Sequence, residues 1–351
     1  MTHLTLKIED IPDNLRLILK KDVQSFLVSQ AVSKYRSPKD LARVLGVDYT
    51  TLHKWRKEGS SMKLKYLKGI LSVLKINLSK ISRSVLGVKG ESSVKVIFKK
   101  RLPFEIPVDL IAHLQGDGSV SKRDCRCSYK NLEPFLIDSL IRSVLNVFDT
   151  KIYTNVSEGA NIVELPCTIG KILVSKFGSF RSKEFSVPRL HSIKAIRKYT
   201  RAIFDDEGWV VNTKDQKNVS IELYNKQALE QIQKFLNYFE IKSHIYDTEL
   251  RITGHLNVKL FAKRIGFSHP LQKIKIRELL KSYKANRKDK ISITKRKIIK
   301  LTKKVPMSTQ QLIQHLNLSR WTIQRHVYEL IRTGKIYRIR DGKKVLFYVV
   351  K

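Results

Sequence analysis

A chain of 351 residues with 42% hydrophobic side chains is long enough for two or three domains and apolar enough to bury real cores. Its 69 Lys and Arg against 31 Asp and Glu leave a formal charge of +38, a field that implies a polyanionic partner, nucleic acid first among them. No apolar run approaches the roughly 20 residues that cross a bilayer, and the opening Met1–Lys7 has no signal-peptide pattern. The expectation is an intracellular protein, cytoplasmic or nucleoid-associated, with neither a membrane nor a small-molecule substrate as partner.

Solubility or heat adaptation could account for part of the excess charge. Neither explains residues 291–351, where 15 basic side chains meet 2 acidic ones. The three cysteines, Cys125, Cys127 and Cys167, lack the spacing of a zinc site or a disulfide framework.

In chain order, residues 1–88 read as short helices punctuated by Gly, Ser and Asn, with no alternating strand pattern beyond a short opening segment, and Gly87–Gly90 marks a boundary. This predicts an all-α domain. Within it Ser37 and Pro38 open a helix in the cap and first-turn positions, Gly46 ends it, and Val47-Asp48 make a turn. A second helix over 49–56 sets Leu52 and Trp55 inward and Thr50, Thr51, His53, Lys54 and Arg56 outward, the order of a helix-turn-helix whose second helix enters the major groove. A helical hairpin that merely packs shares this loose signature; the polar, basic outer face favours DNA reading.

The middle of the chain repeats itself. Segments 110–118 and 200–208 both read as helices that end in an acid followed by glycine, Asp117-Gly118 and Glu207-Gly208. After each come a strand, a pair (Ser128-Tyr129 or Leu223-Tyr224), an amphipathic helix (131–148 or 226–239), Ile-Tyr (Ile152-Tyr153 or Ile245-Tyr246), a further strand and a Lys-rich helix closing at Gly178 or Gly266. Each copy reads αββαββα. Either acid-glycine pair alone is an ordinary helix-ending turn; two in register point to a paired site.

Residues 281–304, rich in Lys and Arg with no apolar stripe before Ile298, read as a linker or an exposed helix touching phosphates. Beyond them, 309–316, Asn317–Ser319 and 320–331 repeat the helix, turn, helix order, with Ser319 as N-cap. Two alternating strands then flank Asp341-Gly342, a dipeptide suited to a type I′ hairpin turn. The pattern resembles a winged helix. Such modules also bind proteins, but Arg320, Gln324, Arg325, Arg338, Arg340, Lys343 and Lys344 tilt this one toward DNA.

Over about residues 100–285 the paired acid-glycine helices resemble the two motifs of single-chain LAGLIDADG homing endonucleases. The resemblance implies an α+β fold: a duplicated αββαββα LAGLIDADG core with pseudo-twofold symmetry, its repeats at about 105–180 and 193–270. Here it is flanked by the all-α helix-turn-helix domain (1–88) and the C-terminal winged helix (291–351). It implies motif helices in close contact through small residues, which Ala112, Gly116 and Ala202 match. Asp206 departs from that pattern, so either the helix end splays there or its carboxylate points outward. It also implies that Asp117 and Glu207 are catalytic and share Mg²⁺ and water near the scissile phosphates, with the carbonyls of Gly116 and Asp206 as further metal ligands.

Phosphodiester hydrolysis needs such a cation to neutralise developing charge and activate water, and Mg²⁺ prefers oxygen ligands. DNA contacts from the core strands are expected at Lys122, Arg123, Arg126, Lys130 and Lys151 in the first copy and at Lys214, Lys217 and Arg251 in the second. His113, His191, His244 and His255 have no evident partner and are expected to be packed or solvated. The function implied is a free-standing, Mg²⁺-dependent, site-specific double-stranded DNA endonuclease, monomeric through its internal duplication. Two alternatives stand beside it: a regulator that has kept the fold and lost cleavage, as in bacterial sporulation regulators, and an RNA maturase.

Overall fold

The structure is a computed structural model that describes all residues except 1–3, 91–93, 122, 158, 214, 342–343 and 350–351, and of 284–293, 341 and 344 the backbone alone. It is a mixed α/β protein that divides into two compact units, Met1–Arg277 and Glu278–Lys351. The helix Pro270–Lys304 runs through the stretch read as linker or helix.

The first unit begins with a part that is not all-α. Strand Arg16–Leu19 pairs with Met62–Lys63 on one side and Val85–Lys89 on the other, and the sheet continues through Lys95–Phe98 to Phe148–Asp149. The expected boundary at Gly87–Gly90 is therefore overturned. Gly87 sits inside a strand opposite Ile97, and the sheet's last strand comes from the motif-bearing region. Phe98, Phe104 and Phe148 cluster with ring centroids 5.4–6.2 Å apart, and Lys176 Nζ reaches Asp10 Oδ2 at 2.9 Å, so residues 1–88 share their core with the motif-bearing region.

Between these strands lie the two helices expected from the sequence. Pro38–Leu45 starts at Ser37, whose hydroxyl accepts from Asp40 N (3.3 Å), and Tyr49–Lys57 starts at Asp48, whose carboxylate accepts from Thr50 N (2.7 Å). Leu52 and Trp55 are buried, each side chain contributing about 1.5–3 kcal/mol of apolar transfer. Buried Gln24 on helix Lys21–Val32 donates to the carbonyls of Trp55 (3.0 Å) and Ser60 (2.8 Å), fixing the second helix against it.

The rest of the unit holds two four-stranded antiparallel sheets, each introduced by a helix. Helix Val108–Gln115 leads into strands Gly118–Val120 and Cys127–Asn131, helix Pro134–Leu145, strands Tyr153–Ser157 and Ala160–Leu165, and helix Cys167–Phe177. Helix Ile193–Glu207 leads into strands Gly208–Asn212 and Lys217–Glu222, helix Lys226–Tyr238, strands His244–Tyr246 and Glu249–Thr253, and helix His255–Arg264. Both sheets run in the order first, second, fourth, third strand.

Registers correct one expected equivalence. Gly118 stands opposite Tyr129 and Gly208 opposite Ile221, so Tyr129 corresponds to Ile221 and not to Tyr224, which lies past its strand and is 65% exposed. The first long helix likewise starts at Pro134, not Asn131, because Asn131 still belongs to the strand.

The introducing helices Val108–Gln115 and Ile193–Glu207 pack on each other. Ala112 and Ala202 are buried, Tyr199 Oη donates to Gln115 Oε1 (2.6 Å), and Gly116 abuts Asp206. A Cβ on Gly116 would lie 2.8 Å from both Cβ and Oδ2 of Asp206, closer than side chains tolerate.

The second unit packs helices Thr309–Leu316 and Arg320–Arg332 with the three-stranded sheet of Met307–Ser308, Lys344–Val349 and Ile336–Asp341. Its core holds Ile298, Leu312, Ile323, Val327, Leu330, Ile336 and Phe347. Ser308 and Gln311 cap the first helix reciprocally, and Ser319 accepts from Thr322 N at 3.3 Å. Asp341 still pairs with Lys344, so it is a strand residue and not the first residue of the hairpin turn; Gly342 and Lys343 lie outside the described residues.

Gly116→Ala is expected to force the two introducing helices apart. Overpacking of about 1–3 kcal/mol corresponds to a Tm loss of roughly 2–4 °C per kcal/mol for a domain of this size, read by differential scanning calorimetry. An unchanged Tm would show that the helices are not in contact at this position.

Candidate functional site

The two acid-glycine sequences lie at the C-terminal ends of the paired helices. Gly116 follows helix Val108–Gln115, Asp117 is next, and the chain enters a strand at Gly118; Glu207 is the last residue of helix Ile193–Glu207 and Gly208 the first of its strand. Both strands fold back so tightly that a Cβ on Gly118 would collide with the Leu114 backbone, and one on Gly208 with that of Phe204. Glycine is thus required at both positions for the acid to sit at a sharp corner.

Asp117 lines a cleft of about 530 Å³ together with Lys130, Asn131, Asp205, Asp206 and His269. Asn131 Nδ2 donates to Asp117 Oδ2 at 2.6 Å, and Lys130 N donates to the Asp117 carbonyl at 3.3 Å. Burial raises the Asp117 carboxyl to about 8, helped by the charges of Asp206 and Glu207 and opposed by the Asn131 amide. Glu207 is raised to about 7, again by burial first and then by Asp206 and Glu222. Asp205 is raised to about 6 by burial, against the pull of the backbone N–H groups of His269 and Ser268.

Asp206 corrects both expectations about it. The helix end does not splay and the carboxylate does not point outward: its side chain is 0% exposed, 3.0 Å from His113 Nδ1, and accepts from Tyr129 Oη at 2.7 Å. The physical reason is that Gly116 leaves room for a side chain on the facing helix, and an anion entering that space needs donors. His113, expected to have no partner, supplies one. Burial disfavours its charged form, yet the charge and hydrogen bond of Asp206 prevail and hold the imidazole above its usual value. Asn131 Nδ2 lies 3.3 Å from Tyr129 Oη, so His113, Asp206, Tyr129, Asn131 and Asp117 form one continuous polar chain.

The donor set around Asp117 and Glu207 fits a hard divalent cation. Both carboxyls are raised by burial and by neighbouring acids, Asp117 by Asp206 and Glu207 and Glu207 by Asp206 and Glu222; a bound cation would relieve them, and Mg²⁺ takes one or two carboxylates while keeping waters and phosphate oxygens. Among the described residues no group of three or more His, Cys, Asp or Glu could hold a metal ion by itself. The Asp206 side chain is committed to His113 and Tyr129.

Of the expected DNA contacts, Thr50, His53 and Lys54 are exposed and Thr51 and Arg56 half-buried on helix Tyr49–Lys57. Arg123, Arg126, Lys130 and Lys151 are exposed around the first sheet, with Lys151 Nζ over the Tyr153 ring at 4.9 Å. Lys217 is half-buried; Arg251 is ion-paired with Glu249 and lies over the Tyr246 ring. Arg320, Gln324, Arg325, Arg338 and Arg340 are exposed on the second unit. Lys122, Lys214 and Lys343 lie outside the described residues, as does the side chain of Lys344. Of the other histidines, His191, His244 and His255 are exposed or half-buried, and His244 lies beside the Tyr246 ring.

Residues 194–266 match the family model of the LAGLIDADG-like domain. This stretch carries a LAGLIDADG-like domain. It takes in nearly all of helix Ile193–Glu207 with Glu207, both hairpins of the second sheet and helix His255–Arg264. Solved structures similar to this chain include the N-terminal LAGLIDADG domain of WhiA, at 14% identity over 47% of this chain and 84% of that one, with a TM-score of 0.35. Full-length WhiA from Thermatoga maritima matches at 14% identity over 66% and 93%, TM-score 0.35. The homing endonuclease I-DmoI in complex with DNA and Mn matches at 20% identity over 47% and 97%, TM-score 0.34. No curated protein matches the chain. No described helix is long and apolar enough to cross a membrane.

Tyr129, Asn131, Asp205 and His269 were not singled out from sequence. The period-two spacing of Tyr129 and Asn131, which puts both on one face of the strand behind Asp117, is the signal that could have found those two.

The pKa directions fix a pH dependence. Asp117, Asp205 and Glu207 are raised and so is His113, hence the folded state binds more protons than the unfolded chain, and stability falls as pH rises. In chelator, the Tm is expected to decline from about pH 5 to about pH 8, and Asp117→Asn to flatten that decline and raise the Tm at pH 8 by roughly 2–4 °C per kcal/mol recovered. A Tm that climbs with pH over this window would contradict these assignments.

Proposed function

We propose that the protein is a metal-dependent, site-specific endonuclease acting on double-stranded DNA. The observation that carries this reading is that Asp117 and Glu207 each stand at a glycine corner where one of two packed helices ends, close enough for the charge of Glu207 to raise the proton affinity of Asp117, with Asp117 and Gly208 lining one cleft. The shared strand order of the two sheets supports reading residues 105–180 and 193–270 as a duplicated LAGLIDADG core, which makes a monomer sufficient.

Asp117 and Glu207 would hold the cation. A bound divalent ion supplies neutralisation of the phosphate's developing charge and a more acidic water. Asn131 orients the Asp117 carboxylate through its 2.6 Å hydrogen bond, Lys130 brings positive charge to the same cleft, and the His113–Asp206–Tyr129 cluster fixes the helix ends that carry both acids. We read Pro38–Lys57 as a helix-turn-helix whose outer face, Thr50, His53 and Lys54, extends the duplex contact. The second unit we read as a winged-helix nucleic-acid binder whose arginines hold phosphates.

A DNA-binding regulator without cleavage is the second reading. It is favoured by the inequality of the two acids: Asn131 holds Asp117, whereas the strand behind Glu207 offers only Ile221 and Leu223 at the corresponding places. Incubation with Mg²⁺ and a duplex library, followed by sequencing of the ends, separates the two. On a cleaved site, Asp117→Asn or Glu207→Gln is expected to reduce cleavage by more than about a hundred-fold, or to leave a nick, with duplex affinity in Ca²⁺ unchanged within about two-fold. A loss of binding that accounts for the loss of cleavage would contradict the roles of these carboxylates. Duplex affinity should also fall steeply with salt through counterion release.

A further inference from the structure

Helix Arg320–Arg332 presents an unexpected outer face. Trp321 is 67% and Tyr328 70% exposed, large apolar surfaces to leave in water. Spacings of four, three and four residues put Trp321, Arg325, Tyr328 and Arg332 on one stripe, aromatic and arginine alternating, all exposed. Arg325 lies 4.9 Å from the centre of the Trp321 ring, a geometry in which the guanidinium stays solvent-facing while the ring stays open on its outer side. On the adjoining hairpin Tyr337 stacks on Tyr348 (5.4 Å, 16°) and is itself 43% exposed.

Neither a packed core nor a duplex groove explains this stripe. The helix already buries Ile323, Val327 and Leu330 on its other side. A helix reading base edges needs polar groups that reach donors and acceptors, whereas an indole and a phenol offer flat faces. An apolar protein partner would have to desolvate the arginines lying between the rings. Unpaired nucleotides satisfy both halves of the stripe, since bases stack on aromatics without regard to sequence and phosphates pair with the interleaved arginines. The charge of the region, 15 basic against 2 acidic residues over 291–351, matches such a polyanion, and Glu329, one of the two acids, is already held by Lys295 Nζ at 2.6 Å. Trp321 and Tyr328 stand about 10 Å apart along the helix axis, room for a strand to place a base on each.

We infer that the Trp321–Arg325–Tyr328–Arg332 face of the second unit binds single-stranded nucleic acid by stacking unpaired bases on its two aromatic side chains. This goes beyond the endonuclease reading and does not depend on cleavage. The test uses the full-length protein in EDTA and measures anisotropy of a labelled oligothymidylate strand and of a labelled duplex. Trp321→Ala and Tyr328→Ala are expected to weaken binding of the single strand by about ten- to hundred-fold each. Duplex affinity should change by less than about three-fold, because the arginines that hold phosphates remain. Trp321→Phe, which keeps a ring, should restore most of the loss, and unchanged thermal unfolding of the exposed-site variants keeps folding out of the comparison. Equal losses on strand and duplex would overturn the proposal in favour of groove reading, and no loss on either would remove nucleic acid from this face altogether.

Discussion

Everything in the candidate site depends on the contact between helices Val108–Gln115 and Ile193–Glu207 at their C-terminal ends. Small residues, Ala112 and Ala202 along the contact and Gly116 at its end, let two backbones come together. The space opened by Gly116 is filled by a carboxylate, Asp206, which is stable there because His113 and Tyr129 surround it with donors. A buried carboxylate with no partners would cost several kcal/mol, so Asp206 can occupy this contact only with His113 and Tyr129 beside it. The same contact brings the charges of Asp206 and Glu207 to bear on Asp117, and that of Asp206 on Glu207, so that neighbouring acids add to burial in lifting both proton affinities.

The symmetry of the backbone is not the symmetry of the chemistry. Both sheets have one strand order, and both acids stand at glycine corners. Yet where Asp206 faces Gly116 the interface is polar on one side and glycine on the other, and the Tyr129–Asn131 strand has Ile221 and Leu223 as its counterpart. One acid is oriented by a hydrogen bond that the other's strand does not supply.

Legibility in the sequence followed the range of the forces involved. The helices at 38–45, 49–57, 309–316 and 320–332 were readable nearly to the residue because their signals are local: Ser37 and Ser319 were legible as caps, and Asp48 and Ser308 cap the other two through bonds two or three residues away. The acid-glycine corners were readable because the sequence states them twice. The N-terminal sheet was not, since Arg16–Leu19 and Val85–Lys89 are short and their partners come from as far away as Phe148–Asp149. Asp206 was misread for the same reason: its partner His113 is a turn of a different helix, and no local pattern connects them. The resemblance to LAGLIDADG proteins set the expectation of small residues, and the structure shows how one charged exception is accommodated.

The most direct test of this account is the titration of the Asp117 carboxyl itself, followed by carbon NMR of protein labelled at aspartate, with Asp117→Asn to assign the signal. The account predicts a midpoint far above the ordinary carboxylate range, near 8, that moves down in Glu207→Gln as one neighbouring charge is removed. An Asp117 that titrates like a solvated carboxylate, and does so equally with or without the Glu207 charge, would contradict the shared site on which the functional reading stands.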